Sequence, residues 1–368
     1  MMVTVSALLW GWVMARGVVP LRLPRRAAWL LGAALLALAE YHVALRVLSG
    51  PPGYPTQPRV VLLGLAWAFG ALVMFALALV LRDGLGLLLG RNKRLAGCHS
   101  LAGGLLVAAS IISGCGVTQA VRVPAVKTVE VRVPNLPAAF DGYRIVQVSD
   151  LHISNLLDAR WLAAVVARVN AAQPDLVAIT GDFQDGTPAR LGPSLQPLED
   201  LRAPDGVFGV PGNHEYYGDF SGWMRVLRGY GVTLLQNAHV EIRRGTAALV
   251  IAGVTDPQAE RAGRPVPDIP AALAGVPAGV PVVLLSHHPT LAADAARAGV
   301  ALMLAGHTHG GQIPGLDLLT KTLNDGFLSG LYNVNGMPLY VSSGTGLWAG
   351  FALRIGHPSE ITVLTLRR

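Results

Sequence analysis

Charge is scarce in this chain: only 14% of its 368 residues are Asp, Glu, Lys or Arg, against 52% hydrophobic. So apolar a balance excludes an ordinary soluble enzyme along the whole length, and part of the chain is expected to lie in lipid. Cysteine is nearly absent. Cys98 and Cys115 are the two, and both precede the second half. That excludes a disulfide framework or a cysteine-rich zinc site in the C-terminal part and leaves the redox compartment open. Clustered basic residues are missing there too. The net charge is +7, but residues 1–120 hold ten Lys/Arg against two Asp/Glu, and the remainder hold 19 against 20. A nucleic-acid surface needs grouped Lys and Arg, so no nucleic-acid partner is expected. There is no internal repeat and no long low-complexity segment.

What is present first is a series of apolar runs. Val3–Leu21 is interrupted by Arg16; Ala27–Val47 and Val60–Leu81 follow; Leu101–Val117 can extend back to Leu95. A bilayer needs about 20 such residues per helix. Residues 1–118 are therefore read as a membrane region of three to four transmembrane helices, 119–127 as a linker and 128–368 as a second domain. Glu40, His42 and Arg46 fall in or at the end of the second run, either at an interface or facing other helices, with an intramembrane role as the sharper alternative. Arg22, Arg25 and Arg26, and then Arg82, Arg91, Lys93 and Arg94, load the loops flanking the second and third runs. With those loops cytoplasmic, the second domain lies outside, whether or not Val3–Leu21 spans. Ile112-Ser113-Gly114-Cys115 has the look of a lipoprotein cleavage box far from the N-terminus; a small-residue packing surface is the other reading.

Beyond Val117–Lys127 the texture changes to alternating strands and helices. Short apolar runs end at Asp150-Leu151-His152, Gly181-Asp182, Gly212-Asn213-His214-Glu215, Ser286-His287-His288-Pro289 and Gly306-His307-Thr308-His309. Loops just past buried strands share one rim of a sheet, where ligands bind. The run Thr128–Val133 reads as an edge strand, Ala159–Ala172 and Ser221–Gly229 as helices, and Val240–Arg243 with Ala248–Ala252 as a strand pair. Aspartate, asparagine and histidine together suit Mn, Fe or Zn better than an all-oxygen magnesium site. Two such ions about 3.5–4 Å apart can clamp an in-line displacement at phosphorus.

The motifs D-x-H, G-D, G-N-H-E, H and G-H-x-H, in this order over residues 125–368, resemble those of the calcineurin-like metallophosphoesterases. Ser149-Asp150-Leu151-His152, the stretch Gly306-His307-Thr308-His309-Gly310-Gly311-Gln312 and the tail Arg354–Ile361 resemble the bacterial membrane-anchored branch. The resemblance implies an α/β chain with a four-layer α/β/β/α sandwich behind the helical membrane region, and two divalent metal ions. It implies that Asp150, His152 and His309 hold one ion, that Asn213, His287 and His307 hold the other, and that Asp182 bridges them. A metal-bridging hydroxide would attack phosphorus, with His214 as general acid and Asp185 at the acidic position that orients this histidine. His287 rather than His288 matches the ligand position, and Glu215 is placed outside the ligand set. His239 and His357 match no ligand position, and Ser286 is not expected to be a nucleophile.

The implied partners are a phosphoester substrate, with a lipid-linked phosphate among the candidates, and the lipid bilayer. The implied location is a bacterial inner membrane with the catalytic domain on its extracytoplasmic side. Relatives in this branch include enzymes resembling UDP-2,3-diacylglucosamine pyrophosphatases, a cytoplasmic substrate that conflicts with that topology. A membrane sensor whose metal domain binds without turnover is the alternative of another class. The run Leu316–Tyr332, rich in leucine, reads either as a lipid-facing lid or as a packed loop.

Overall fold

The computed structural model describes residues 2–49, 54–90 and 99–368, in two compact units. Arg91, Lys93, Arg94, Leu95 and Cys98, used above, lie outside the described residues.

The first unit, residues 1–120 with 350–354, is helical. Three helical stretches, Thr4–Leu21, Arg59–Leu88 and Leu101–Val121, are long and apolar enough to cross a membrane, and there are four if a bent pair counts as one. That pair divides the apolar run Ala27–Val47 in two. Arg25–Ala39 and Tyr41–Ser49 meet at an angle of 59°. The break is at Glu40, whose carboxylate accepts from Ser6 Oγ at 2.7 Å. Other charges are neutralised inside the unit: Arg16 Nε lies 2.6 Å from Asp83, and Arg82 Nε donates to the same carboxylate at 2.9 Å. Ser113 sits inside the continuous helix His99–Val121 and donates to the Trp67 carbonyl at 2.8 Å, which is the small-residue packing reading of that segment. Gly350–Arg354 joins these helices with no counterpart in the sequence reading: Tyr41 Oη donates to the Gly350 carbonyl at 2.7 Å, and the Phe69 and Phe351 rings meet edge to face.

The second unit holds two six-stranded sheets. One is ordered β1 (Ala125–Arg132), β12 (Glu360–Arg367), β2 (Arg144–Val148), β3 (Leu176–Thr180), β4 (Val207–Val210), β5 (Thr233–Leu234). The other is ordered β10 (Gly330–Val334), β11 (Met337–Val341), β9 (Leu302–Ala305), β8 (Val282–Leu285), β7 (Ala247–Gly253), β6 (Ala238–Arg244). Strands β2, β3 and β4 run parallel, as do β7, β8 and β9. Side chains alternate across a strand, so each central strand feeds two cores. Ile145 and Ala178 face the layer between the sheets with Ile251, Val283 and Leu304. Val146, Val177 and Ile179 face outward onto helix residues Trp161, Leu162, Val165 and Trp223. On the far side Val250, Leu284 and Met303 meet Ile269, Ala272 and Ala295. The result is the four-layer α/β/β/α sandwich. Strands covered on both faces are almost continuously apolar, with buried Gln147 of β2 an exception that donates to the Ala305 carbonyl, which is why they were legible as short greasy runs.

Helix Ala159–Ala171 shows how the sequence sets an outer layer. Asp158 caps it, accepting from the amides of Arg160 and Trp161. Leu162, Val165, Val166 and Val169 then recur on one face. Gln173, at positive φ, and Pro174 stop it.

Candidate metal centre

The parallel strands deliver their chemistry at their C-terminal ends. Asp150 and His152 follow β2, Asp182 follows β3, Asn213 and His214 follow β4, His287 follows β8, and His307 and His309 follow β9. Each loop turns within one or two residues, and the backbone carries the strain. Asp150, His152, Asp182, His307 and His309 all have φ between 45 and 69°, a region most non-glycine residues avoid and that clusters at functional sites. Glycine is required where the loops touch. A Cβ on Gly212 would lie 2.6 Å from the Asp182 amide, and one on Gly306 would lie 2.6 Å from Asp150 Oδ2.

Around Asp150, His309 Nε2 is 3.4 Å from Oδ1 and 3.2 Å from His152 Nε2. Around Asn213, Oδ1 is 3.1 Å from both His287 Nε2 and His307 Nδ1, and those two nitrogens are 3.3 Å apart. Asp182 stands between the groups: Oδ2 is 3.3 Å from His287 Nε2, 3.5 Å from His152 Nε2 and 3.9 Å from His214 Nε2. Eight of the nine residues that the resemblance implied therefore converge, and Asp185 joins them through His152. Asp150, His152 and His309 form one set whose donor atoms could share an ion, and Asp150, Asp182 and His287 form another.

The tautomers fit cation binding. His287 Nδ1 lies 2.8 Å from the Thr180 carbonyl and His152 Nδ1 lies 2.9 Å from Asp185 Oδ1. A proton on each Nδ1 turns the Nε2 lone pair into the cluster, the arrangement metal-ligating histidines adopt. Two buried carboxylates, an amide oxygen and inward imidazole lone pairs are a donor set that fits divalent ions.

Electrostatics follow from burial and proximity. Burial raises the pKa of Asp150, whereas Asp182 is held well below the carboxylate range because the facing His287 and His214 outweigh its burial. Asp185 Oδ1 takes both His152 Nδ1 and, at 2.6 Å, His214 Nδ1. Burial alone would raise Asp185; the two imidazoles bring it to about 2. Burial opposes a charge on His214, but Asp182 and Asp185 lift it to about 9.

Glu215 is buried outside the cluster and accepts from three amides, Asp182 at 3.0 Å, Phe183 at 2.9 Å and Gly212 at 2.8 Å. Ser286 donates to the His288 carbonyl and His239 Nδ1 lies 2.8 Å from the Ala272 carbonyl; neither is brought to the cluster. His357 instead lies 3.3 Å from Asp317.

Sequence reasoning set His288 aside and missed Asp256 and Tyr217. His288 stacks on His307 with ring centroids 3.6 Å apart, and its Nε2 is 3.3 Å from Asp256 Oδ2. Asp256 follows β7 as Asp150 follows β2, so the strand-then-acid pattern was the available signal. Tyr217 receives the Asn213 amide at 3.0 Å and was not foreseen.

A fold of this kind with such a cluster at one rim defines a class, and the comparisons agree. Residues 143–311 match the calcineurin-like phosphoesterase family. The chain belongs to the calcineurin-like metallophosphoesterases. Its similarities within that family include two proteins named as transmembrane proteins with a metallophosphoesterase domain. The one from Danio rerio is 34% identical over 272 residues, covering 72% of this chain and 62% of the relative. The one from Bos taurus is 36% identical over 292 residues, covering 76% and 64%. An uncharacterized metallophosphoesterase of Campylobacter jejuni is 34% identical over 265 residues, covering 72% and 68%. The chain thus spans under two thirds of the length of the first two relatives.

Proposed function

We propose that this chain is a membrane-anchored, dinuclear metal-dependent phosphoester hydrolase. Asp150, His152 and His309 hold one divalent ion, Asn213, His287 and His307 hold the second, and Asp182 serves both. The observation that carries the reading is the position of Asp182 Oδ2, within 3.5 Å of imidazole nitrogens from both groups. When bound, the ions supply Lewis-acid charge for the phosphate oxygens and for ionising the attacking water; the mixed donors favour Mn, Fe or Zn.

The remaining residues handle position and protons. Asp185 Oδ1 accepts from Nδ1 of both His152 and His214. That fixes each ring and leaves His214 Nε2 as the nitrogen that delivers a proton to the departing oxygen, a step worth about 10²–10⁴ in rate. The amide of His214 donates to Asp182 Oδ1 at 2.9 Å, which ties the acid to the shared carboxylate. Tyr217 holds the Asn213 amide group, leaving its oxygen toward His287 and His307.

The apolar helices and the two relatives named as transmembrane proteins support anchoring in a cell membrane. The basic residues flanking the second and third runs support several crossings with the hydrolase outside, and the family resemblance points to a bacterial inner membrane. There, phosphoesters carried on lipids are the substrates at hand.

The test uses the full chain in detergent with bis-p-nitrophenyl phosphate and p-nitrophenyl phosphate, with and without Mn²⁺. Metal-dependent release is expected. Asp182→Asn removes activity and lowers metal content; His214→Ala removes activity with metal retained. Turnover surviving in Asp182→Asn defeats the shared-carboxylate assignment. A folded, metal-loaded chain that releases nothing from any phosphoester is a binding module instead.

A further inference from the structure

We infer that the helix Leu316–Leu323 is the apolar wall of the substrate site, and that the phosphoester taken there carries an aliphatic chain; the inference rests on the hydrolase reading above. The packed-loop expectation for this region holds for Phe327, half-buried against the outer core, and fails for the helix itself. None of its eight residues is buried. Leu318 is 70% exposed, Leu319 50% and Leu323 64%. A helix of a globular unit ordinarily hides its leucines; large exposed apolar groups in one place mark a binding surface.

What covers part of it is decided by continuity with the candidate centre. Leu316, Thr320 and Leu323 fall at positions i, i+4 and i+7, one face of the helix. They line a single cavity of about 310 Å³ whose other wall carries His307, His309 and Gln312. The cavity therefore has imidazoles at one side and leucine at the other, the two chemistries of a phosphate joined to a hydrocarbon. Ligand sites set apolar groups beside placed polar ones; here Leu316 and Leu323 are the apolar part of a lining otherwise made by His, Thr, Gln, Asn and Gly. Leu318 and Leu319 do not line it.

The wall is fixed to the centre rather than drifting past it. Asp317 accepts from the amides of Gly315 and Leu318, each at 2.8 Å, and faces His357 Nε2 at 3.3 Å. A Cβ on Gly311 would lie 2.6 Å from that of Asp317, so the helix start sits directly on the turn that carries His309. At the other end Asn324 is buried and donates to the Thr320 carbonyl at 2.9 Å.

The experiment uses the full metal-loaded chain in nanodiscs and p-nitrophenyl ethyl, hexyl and decyl phosphate, which share one leaving group. The expected kcat/KM rises by at least about tenfold from ethyl to decyl, the return on burying a few methylenes. The double variant Leu316→Ser with Leu323→Ser flattens that ratio, and Leu318→Ser with Leu319→Ser keeps it. Calorimetric binding of decylphosphonate and ethylphosphonate shows the same preference and the same loss. A flat wild-type series with the ethyl ester still cleaved overturns the chain subsite and leaves the hydrolase standing. A ratio that collapses in Leu318→Ser with Leu319→Ser instead means that the helix grips the bilayer, and this also overturns it. Metal-dependent cleavage of none of the three overturns the hydrolase reading and this inference with it.

Discussion

Replacing Glu215 by Gln separates two accounts of one buried carboxyl group. Its oxygens accept three amides: Oε2 takes Asp182 and Gly212, and Oε1 takes Phe183. An ionised carboxylate satisfies all three. Glutamine cannot, because whichever oxygen becomes NH₂ then points a donor at a donor. A buried donor left without its acceptor costs about 1–3 kcal/mol, and hydrogen bonds to a charged group are the stronger ones. The change should therefore cost about 3 kcal/mol, or about 6–12 °C in Tm for a unit of this size. The assay is thermal unfolding of the full chain in detergent followed by tryptophan fluorescence, since Trp223 is wholly buried in this unit. Glu241→Gln is the control, because its partner Arg243 is largely exposed and such pairs are worth about 0–1 kcal/mol. Burial and the Asp182 charge push Glu215 up to about 8. On that account the group is largely protonated at neutral pH, and glutamine becomes the closer analogue. A loss below about 2 °C therefore refutes the three-amide clamp.

Other outcomes are expected on the same grounds. Asp185→Asn should lower kcat by about 10²–10⁴ and weaken metal binding by about 10–100-fold, since it removes the charge that holds both His152 and His214; steady-state kinetics with metal analysis checks this. Gly306→Ala should cost metal affinity and several degrees of Tm, because its methyl would meet Ser149 Oγ and Asp150 Oδ2; calorimetry with and without Mn²⁺ reads both. Chelation should lower Tm, and readdition of metal at about 1,000 times its Kd should restore about 4 kcal/mol. In the helical unit Asp83→Asn should destabilise by about 3–5 kcal/mol by leaving Arg16 and Arg82 uncompensated, read as loss of monodisperse protein on heating in detergent.

The centre was legible because its chemistry is local. Each ligand candidate follows a strand that is apolar on both faces, so run and motif could be read together without knowing the sheet order. The same locality explains the misses. Asp256 was passed over because no histidine accompanies it in sequence; His288 reaches it only through the fold. The break at Glu40 was hidden because its partner, Ser6, is 34 residues away. The helix Leu316–Leu323 was indistinct because its leucines serve two sides and follow no single stripe, and β10 was lost in the same region. The attachment of Gly350–Arg354 to the helices depends on Tyr41 and Phe69, contacts that no local pattern announces.

The two sheets also impose an order of events. Asp150, His152, Asp182 and Asn213 are synthesised with the first sheet, and His287, His307 and His309 only with the second. A nascent chain that has emerged as far as β6 offers two carboxylates, an amide and a single inward imidazole. On the proposed assignment neither ion then has its full set of donors. The first sheet is itself completed only by β12, the last strand made, which lies between β1 and β2; on that assignment metal capture is therefore a late event, and a cell short of the ion would accumulate chains whose strands are all made but whose centre is not locked.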